Sequence, residues 1–341
     1  MSLARKHTDS DTDLTVVSPA EGGRNHIILI HEESKMENIL TVKGLTKKYS
    51  KFTLGKLDFE LPKGFSTVLI GANGAGKTTL IDVLCGVIGS SGGEVNYFGE
   101  NADIDSAEIR ERIGYCAAQN FFPAMWKPRD IAAAMSIAYR KFDREKFSRL
   151  CAELNVDTES TKKARSIYKQ SDGNKMRLAL AAVFARDTDL LVLDEPGSSL
   201  DPLMRDRLCD RFREYLDEGN GEKSILFSSH NISDMENAAD YAIFMDTGRI
   251  IEHGFVEDLK EKYIIIRGDS ADFDKAKPLL LSHSANKTAF SGLALSKNAA
   301  RLEELGAVCE RPTLGNLSVE LLKQAEAAPR AEAAHKAEET R

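Results

Sequence analysis

No stretch of the 341-residue chain approaches the roughly 18 consecutive apolar residues a membrane-crossing helix needs. Any role at a membrane therefore requires a separate protein to bring the chain there. Cysteine is scarce: Cys85, Cys116, Cys151, Cys209 and Cys309 are odd in number and have no close spacing. That excludes a disulfide scaffold and a zinc site, and points to a reducing compartment. A basic excess is missing too, because the net charge is −7, so a nucleic-acid footprint is absent. The N-terminal MSLARKHTDSDTDLTVV is too acidic and polar for a secretory signal, and a cytoplasmic location is the expectation. There is no internal repeat at solenoid period. What remains is 42% hydrophobic and 29% charged residues, the balance of a globular protein with a sizeable core.

Residues 1–36 are rich in Ser, Thr, Asp and Gly, and read as a flexible leader or a short docking segment. Short strand patterns follow, beginning with ILTVKGLTKKY. Between about 120 and 185 the period turns helical, at Asp130–Ala138 and Arg144–Leu154. Asp189–Asp194 and Ser224–Ser228 return to buried strands. Tyr241–Glu252 reads as a hairpin around Asp246-Thr247-Gly248. Mixed pattern fills 256–325, and the Ala/Glu-rich residues 326–341 read as a tail, frayed helix or disordered. Strands that alternate with helices and end in glycine-rich turns predict an α/β sheet with ligands at its carboxyl edge, interrupted by a helical insertion.

The segment Ser66–Leu84, STVLIGANGAGKTTLIDVL, carries the chemistry. Gly71-Ala72-Asn73-Gly74-Ala75-Gly76-Lys77-Thr78 fits G-x-x-x-x-G-K-[ST]. It follows the apolar Val68-Leu69-Ile70 and opens an amphipathic stretch, the strand–loop–helix setting the motif requires. Glycines let backbone N–H groups turn inward, and the helix N-terminus adds positive charge, so the loop suits phosphates. Lys77 would reach the β- and γ-phosphates, the Thr78 hydroxyl would ligand Mg²⁺, and Thr79 would help hold the α-phosphate.

A second acid completes such a site. Leu190–Leu193 forms a buried run that pushes Asp194 out at its end, where it would hold the cation. Glu195 follows as the base for an attacking water. His230 ends the apolar run SILFSSH on the γ-phosphate side. Gln119, ending IGYCAAQ, stands before the helical insertion, where its amide could join the Mg²⁺ ligands and sense the phosphate.

This assembly resembles the nucleotide-binding domain of the ABC transporter ATPases, over about Leu40 to Leu322. The resemblance implies a P-loop NTPase fold, RecA-like with an ABC ATPase core over 37–255, an inserted α-helical subdomain and a small C-terminal α+β extension. It implies that Tyr49 stacks on adenine, that Gly71, Asn73, Gly74, Gly76, Lys77, Thr78 and Thr79 bind ATP, and that Gln119, Glu195 and His230 act in hydrolysis. Asp201, in Ser198-Ser199-Leu200-Asp201, corresponds to the family's D-loop. Gln170-Ser171-Asp172-Gly173-Asn174 stands where the family writes LSGGQ. Ser171 and Gly173 are retained and would cover the triphosphate held by a second copy or a related ATPase. Asp172 in place of glycine brings a carboxylate toward that triphosphate, and Gly197 stands where threonine is frequent.

A transmembrane permease is the implied partner, placing the chain peripherally on the cytoplasmic face of the membrane. Phe121-Phe122-Pro123-Ala124-Met125-Trp126 serves either core packing or the docking of that permease. Pro312–Leu317 resembles the closing segment of exporter-like ATPases, so export of a peptide, antibiotic or lipid-like substrate is the expectation. A soluble ABC-type ATPase of a cytosolic assembly is the alternative. A GTPase is disfavoured, since Asn174-Lys175 and Asn286-Lys287 lack the aspartate of a guanine reader. Chromosome-type ATPases would need a long coiled-coil insertion, and none is present.

Overall fold

A computed structural model describes residues 37–100, 104–119, 122–156, 166–230, 232–233 and 235–338, with side chains to 327. The expected leader 1–36, and Phe121 of the aromatic cluster, lie outside the described residues. Strands β1 (Asn38–Lys48) and β2 (Thr53–Pro62) pair antiparallel. The central strand β3 (Ser66–Ile70) is buried at every position. It leads through the glycine-rich turn into α1 (Lys77–Leu84), and β4 (Gly92–Tyr97) then pairs with β1 to complete a three-stranded sheet. α2 (Ala107–Arg112) and β5 (Ile113–Cys116) lead to the helical segment.

That segment holds α3 (Pro128–Ala138), α4 (Arg144–Glu153) and α5 (Asp172–Phe184). Pro128 stands in the first turn of α3, where its missing N–H costs nothing. The Asp143 carboxylate accepts the Glu145 and Lys146 N–H groups to start α4. The chain then returns through β6 (Leu190–Leu193), α6 (Pro202–Glu218) and β7 (Ser224–Ser229). The hairpin β8 (Tyr241–Asp246) and β9 (Arg249–Phe255) follows. Thr247 and Gly248 both have positive φ, 45° and 76°, as a tight two-residue hairpin turn demands.

The main sheet has the order β5-β6-β7-β3-β8-β9, with only β9 antiparallel. Strands β3, β6 and β7 are buried throughout, which explains why LLVL and SILF read as continuous apolar runs. The carboxyl ends of β3, β6 and β7 carry the phosphate loop, Asp194 and His230 to one edge.

After α7 (Val256–Lys262), strand β10 (Tyr263–Asp269) starts an antiparallel sheet of order β11-β12-β10-β13. It runs through α8 (Phe273–Ala276), β11 (Leu280–Ala285), β12 (Ala289–Leu295), α9 (Ala299–Glu304) and β13 (Val308–Glu310). Neighbouring residues of β10 serve opposite faces. Ile266 packs with Phe290, Ala294 and Leu302 in a small core, whereas Ile265 joins Leu293, Leu314 and Leu317 in the main one. The final helix α10 runs Leu314–Glu338, so of the two forms expected of the tail from 326, helix or disorder, its described backbone takes the helical one. Its Ala, Glu, Gln and Lys residues are strong helix formers. Among the described residues no helix is long and apolar enough to cross a membrane.

Candidate functional site

The glycines of the loop are needed for different reasons. A Cβ on Gly71 would lie 2.4 Å from the Met245 carbonyl, and one on Gly76 would lie 2.8 Å from the Phe52 ring. Gly76 also has φ 105°, and Gly74 has φ 86° with open space before it. The loop is thus packed from behind and open in front. Asn73 is exposed in it. No side chain caps α1, so its first-turn N–H groups have no intrahelical partner.

Lys77 is buried, 6% exposed, and folds back over its own loop. Its Nζ donates to the Gly71 carbonyl at 2.8 Å and the Ala72 carbonyl at 3.4 Å, and pairs with Glu195 at 3.3 Å. The Thr78 hydroxyl donates to one Asp194 oxygen at 2.8 Å, and the Ser228 hydroxyl donates to the other at 2.5 Å. Asp194 is fully buried, and among the described residues no ion pair reaches it. Two neutral hydroxyls are thin compensation for a buried carboxylate. Burial first, and the nearby Asp194 second, push the Cys116 thiol up to about 12. A hydroxyl and a carboxylate form the hard-oxygen donor set that suits Mg²⁺. Among the described residues no three-ligand His, Cys, Asp or Glu cluster exists.

Glu195 stands beyond the end of β6 with φ 49°, an uncommon conformation for a non-glycine residue. Its N–H donates to Ser228 Oγ at 2.8 Å, which fixes the strained residue. One carboxylate oxygen faces Lys77, and the other lies 2.7 Å from His230 Nδ1. Lys77, Thr78, Asp194, Glu195 and His230 are therefore brought into one hydrogen-bonded group. Ser228 joins them unforeseen; the sequence signal was a hydroxyl inside an otherwise apolar buried strand. Thr79, in the first turn of α1, is half-buried.

The remaining expected residues lie elsewhere. Tyr49 is 48% exposed with the Lys47 ammonium 5.4 Å from its ring centre. Gln119 is exposed and bonds neither Thr78 nor Asp194; it lines a cavity of about 290 Å³ with Tyr115, Phe122 and Arg186. Ser171 caps α5, its hydroxyl accepting the Asn174 N–H at 3.3 Å. Gly173 lies under the Ser199 carbonyl, only 2.6 Å from where a Cβ would be. Asp172 is exposed and paired with Lys175 at 2.9 Å, which offsets the charge the sequence reading flagged. Asp201 caps α6 by accepting the Met204 N–H at 3.0 Å. Among the described residues no hydrogen bond or ion pair joins Ser171, Gly173 or Asp201 to the phosphate loop.

Residues 54–198 match the family described as ABC transporter. The choline transport ATP-binding protein OpuBA of Bacillus subtilis is 26% identical over 307 residues, covering 84% of this chain and 80% of the relative. The energy-coupling factor transporter ATP-binding protein EcfA2 of Methanospirillum hungatei is 31% identical over 234 residues, covering 65% of this chain and 57% of the relative. A solved ATP-binding subunit of an ABC transporter superposes with TM-score 0.57 at 23% identity, over 65% of this chain and 92% of that one. A dimeric post-hydrolysis ATP-binding cassette bound to ADP and Pi gives TM-score 0.55 at 17% identity, over 63% and 98%. The α/β fold expected from the sequence is the fold these structures share. By family match and fold, this chain carries one ATP-binding domain of the ABC transporter family, an ATPase.

Proposed function

We propose that the chain is the ATP-hydrolysing subunit of a transporter whose membrane-spanning part is a separate permease. The observation that carries this reading is the shared hydrogen-bond group of Lys77, Thr78, Asp194, Glu195, Ser228 and His230 at one sheet edge. The Gly71–Thr79 loop cradles the triphosphate with its N–H groups. Lys77, now held by two loop carbonyls and Glu195, transfers its ammonium to the β- and γ-phosphates. Mg²⁺, held by Thr78 and Asp194 with Gln119 as a further ligand, would neutralise phosphate charge. Ser228 keeps the Asp194 carboxylate turned toward Thr78.

Once Lys77 leaves it, Glu195 is free to accept a proton from the attacking water, and His230 orients its second oxygen. Tyr49, exposed beside the loop's strand neighbours, stacks on adenine. Among the described residues Ser171 and Gly173 make no hydrogen bond to the loop of their own chain, and a second subunit brings such a surface over the γ-phosphate. Asp201 shapes the same surface as the cap of α6. Two such ATPase subunits, alike or related, close over ATP and reopen on hydrolysis. The permease docks beside Gln119, at Phe122–Trp126, where Met125 is 72% exposed.

The segments divide as a leader at 1–36, the ATPase domain at 37–255, an accessory region at 256–325 and the remaining tail. Export rests on the resemblance of the Pro312–Leu317 segment to exporter-like ATPases alone. The test is co-purification: a multi-spanning protein retained in detergent together with ATPase activity is the expected result. ATPase activity confined to a soluble complex would favour a cytosolic assembly ATPase instead.

A further inference from the structure

The sheet edge explains where His230 begins, but not what holds the chain after it. Ile232, Met235 and Ala238 are buried there, and Glu236 follows Met235 into a short 3-10 turn, Glu236–Ala238. The Glu236 carboxylate gathers donors from two later helices. Its Oε1 accepts the Leu314 N–H at 2.8 Å and lies 2.9 Å from Lys260 Nζ of α7. Its Oε2 accepts the Gly315 N–H at 3.4 Å. These N–H groups belong to the first turn of α10, which Thr313 also caps through the Asn316 N–H. The fit is close, since a Cβ on Gly315 would come within 3.0 Å of Ser233 Oγ. Leu314 and Leu317 complete the joint inside the main core with Ile232 and Met235.

Met235 extends the contact to the other side of the site. A Cβ on Gly197 would lie 2.8 Å from the Met235 sulfur. Gly197 belongs to the turn right after Glu195 and Pro196, and its carbonyl accepts from Arg205 Nε at 3.0 Å. Glu195, Gly197, Arg205, His230 and Met235 line one small cavity. Met235, next to Glu236, thus meets both neighbours of the hydrolytic carboxylate: it lines one cavity with His230 and fills the space beside Gly197.

We infer that Glu236 is a positioning residue for hydrolysis, which locks the His230 segment to the first turn of α10 and so makes the C-terminal helix part of the ATPase machinery. The inference rests on the proposed roles of Glu195 and His230. Three donors from two helices converge on this one carboxylate, so the loop after His230 and the first turn of α10 are fixed to each other. Packing at one joint propagates because a close-packed interior does not deform smoothly.

The experiment is a double-mutant cycle on the full chain, reading ATP turnover and the stoichiometry of ATP bound. Glu236→Ala is expected to lower kcat about ten-fold in the wild-type background. In the His230→Ala background it is expected to change kcat by less than about two-fold, because the group it positions is gone. ATP binding at one per chain excludes a mere loss of folded protein. An equal fall in both backgrounds, or no fall in the wild-type background, overturns the inference. If Glu236→Ala fails to fold, Glu236→Gln takes its place; it keeps an acceptor for the Leu314 N–H but loses the charge facing Lys260. The same pattern with a smaller fall supports the inference, and additive effects overturn it. A wild-type chain without ATPase activity would instead sink the functional reading itself.

Discussion

Glu195→Gln separates the chemistry of the site from its binding. The carboxylate is 16% exposed on its side chain and is held from two sides, by Lys77 at 3.3 Å and by His230 at 2.7 Å. Gln has the same shape and keeps a polar atom facing each neighbour, while Ser228 still holds the backbone N–H. What disappears is the negative charge that accepts a proton. General-base catalysis contributes typically about 10²–10⁴ in rate. At about 1.36 kcal/mol per decade, that is roughly 3–5 kcal/mol of barrier. Loss of the same charge frees Lys77 for phosphate and removes a like charge from beside the triphosphate, so ATP affinity should hold or rise. Single-turnover phosphate release and calorimetric ATP binding read the two effects separately. Phosphate release within about two-fold of wild type would refute the base assignment; lost ATP binding would refute the placement of Glu195 outside the phosphate cradle.

Other outcomes follow from the same contacts. Lys77→Ala removes a buried ammonium aimed at phosphate, and calorimetry should find ATP affinity lowered by at least about ten-fold, the effect of roughly 1.4 kcal/mol. Gly197→Thr forces a branched side chain into the Met235 sulfur; thermal or urea melts should show about 1–3 kcal/mol of destabilisation, relieved when Met235→Ala is added. Burial alone would raise the Glu236 carboxyl, but the Leu314 N–H and the Lys260 ammonium outweigh it and hold it below the usual range. Its contribution to stability is therefore complete above the unfolded-state value of about 4.3 and fades as pH falls through the lower folded value. The melting-temperature gap between wild type and Glu236→Gln should be constant from about pH 7 to 5 and shrink below about 4.3.

The catalytic edge was legible because its signals are local. Val68–Ile70 before the glycines, Leu190–Leu193 before Asp194 and Ser224–Phe227 before the serines each announce a buried strand by composition alone. The turn itself was foreshadowed by Gly248, whereas the positive φ of the β-branched Thr247 was not. What escaped depends on neighbours far along the chain. Ser228 acts only because β6 and β7 are adjacent, which places it against Asp194 and Glu195. Gly197 looked like a lesser departure from a family pattern, yet Met235 fills the space its missing side chain leaves. The C-terminal sheet reads as mixed pattern because both faces of β10 are apolar: Tyr263 and Ile265 pack into the main core, Ile264 and Ile266 into the small one, so no polar alternation marks the strand. Tyr49 was placed by resemblance and Gln119 by its position before the helical insertion, and both are exposed.

The whole scheme requires a triphosphate shared between two subunits. A structure of the Glu195→Gln chain with ATP and Mg²⁺ tests this most directly. The expected result is a triphosphate within hydrogen-bond reach of the residue 73–78 N–H groups of one subunit and of Ser171 Oγ from the facing one. Nucleotide bound in the loop with no facing subunit over it, or bound elsewhere, would contradict the account.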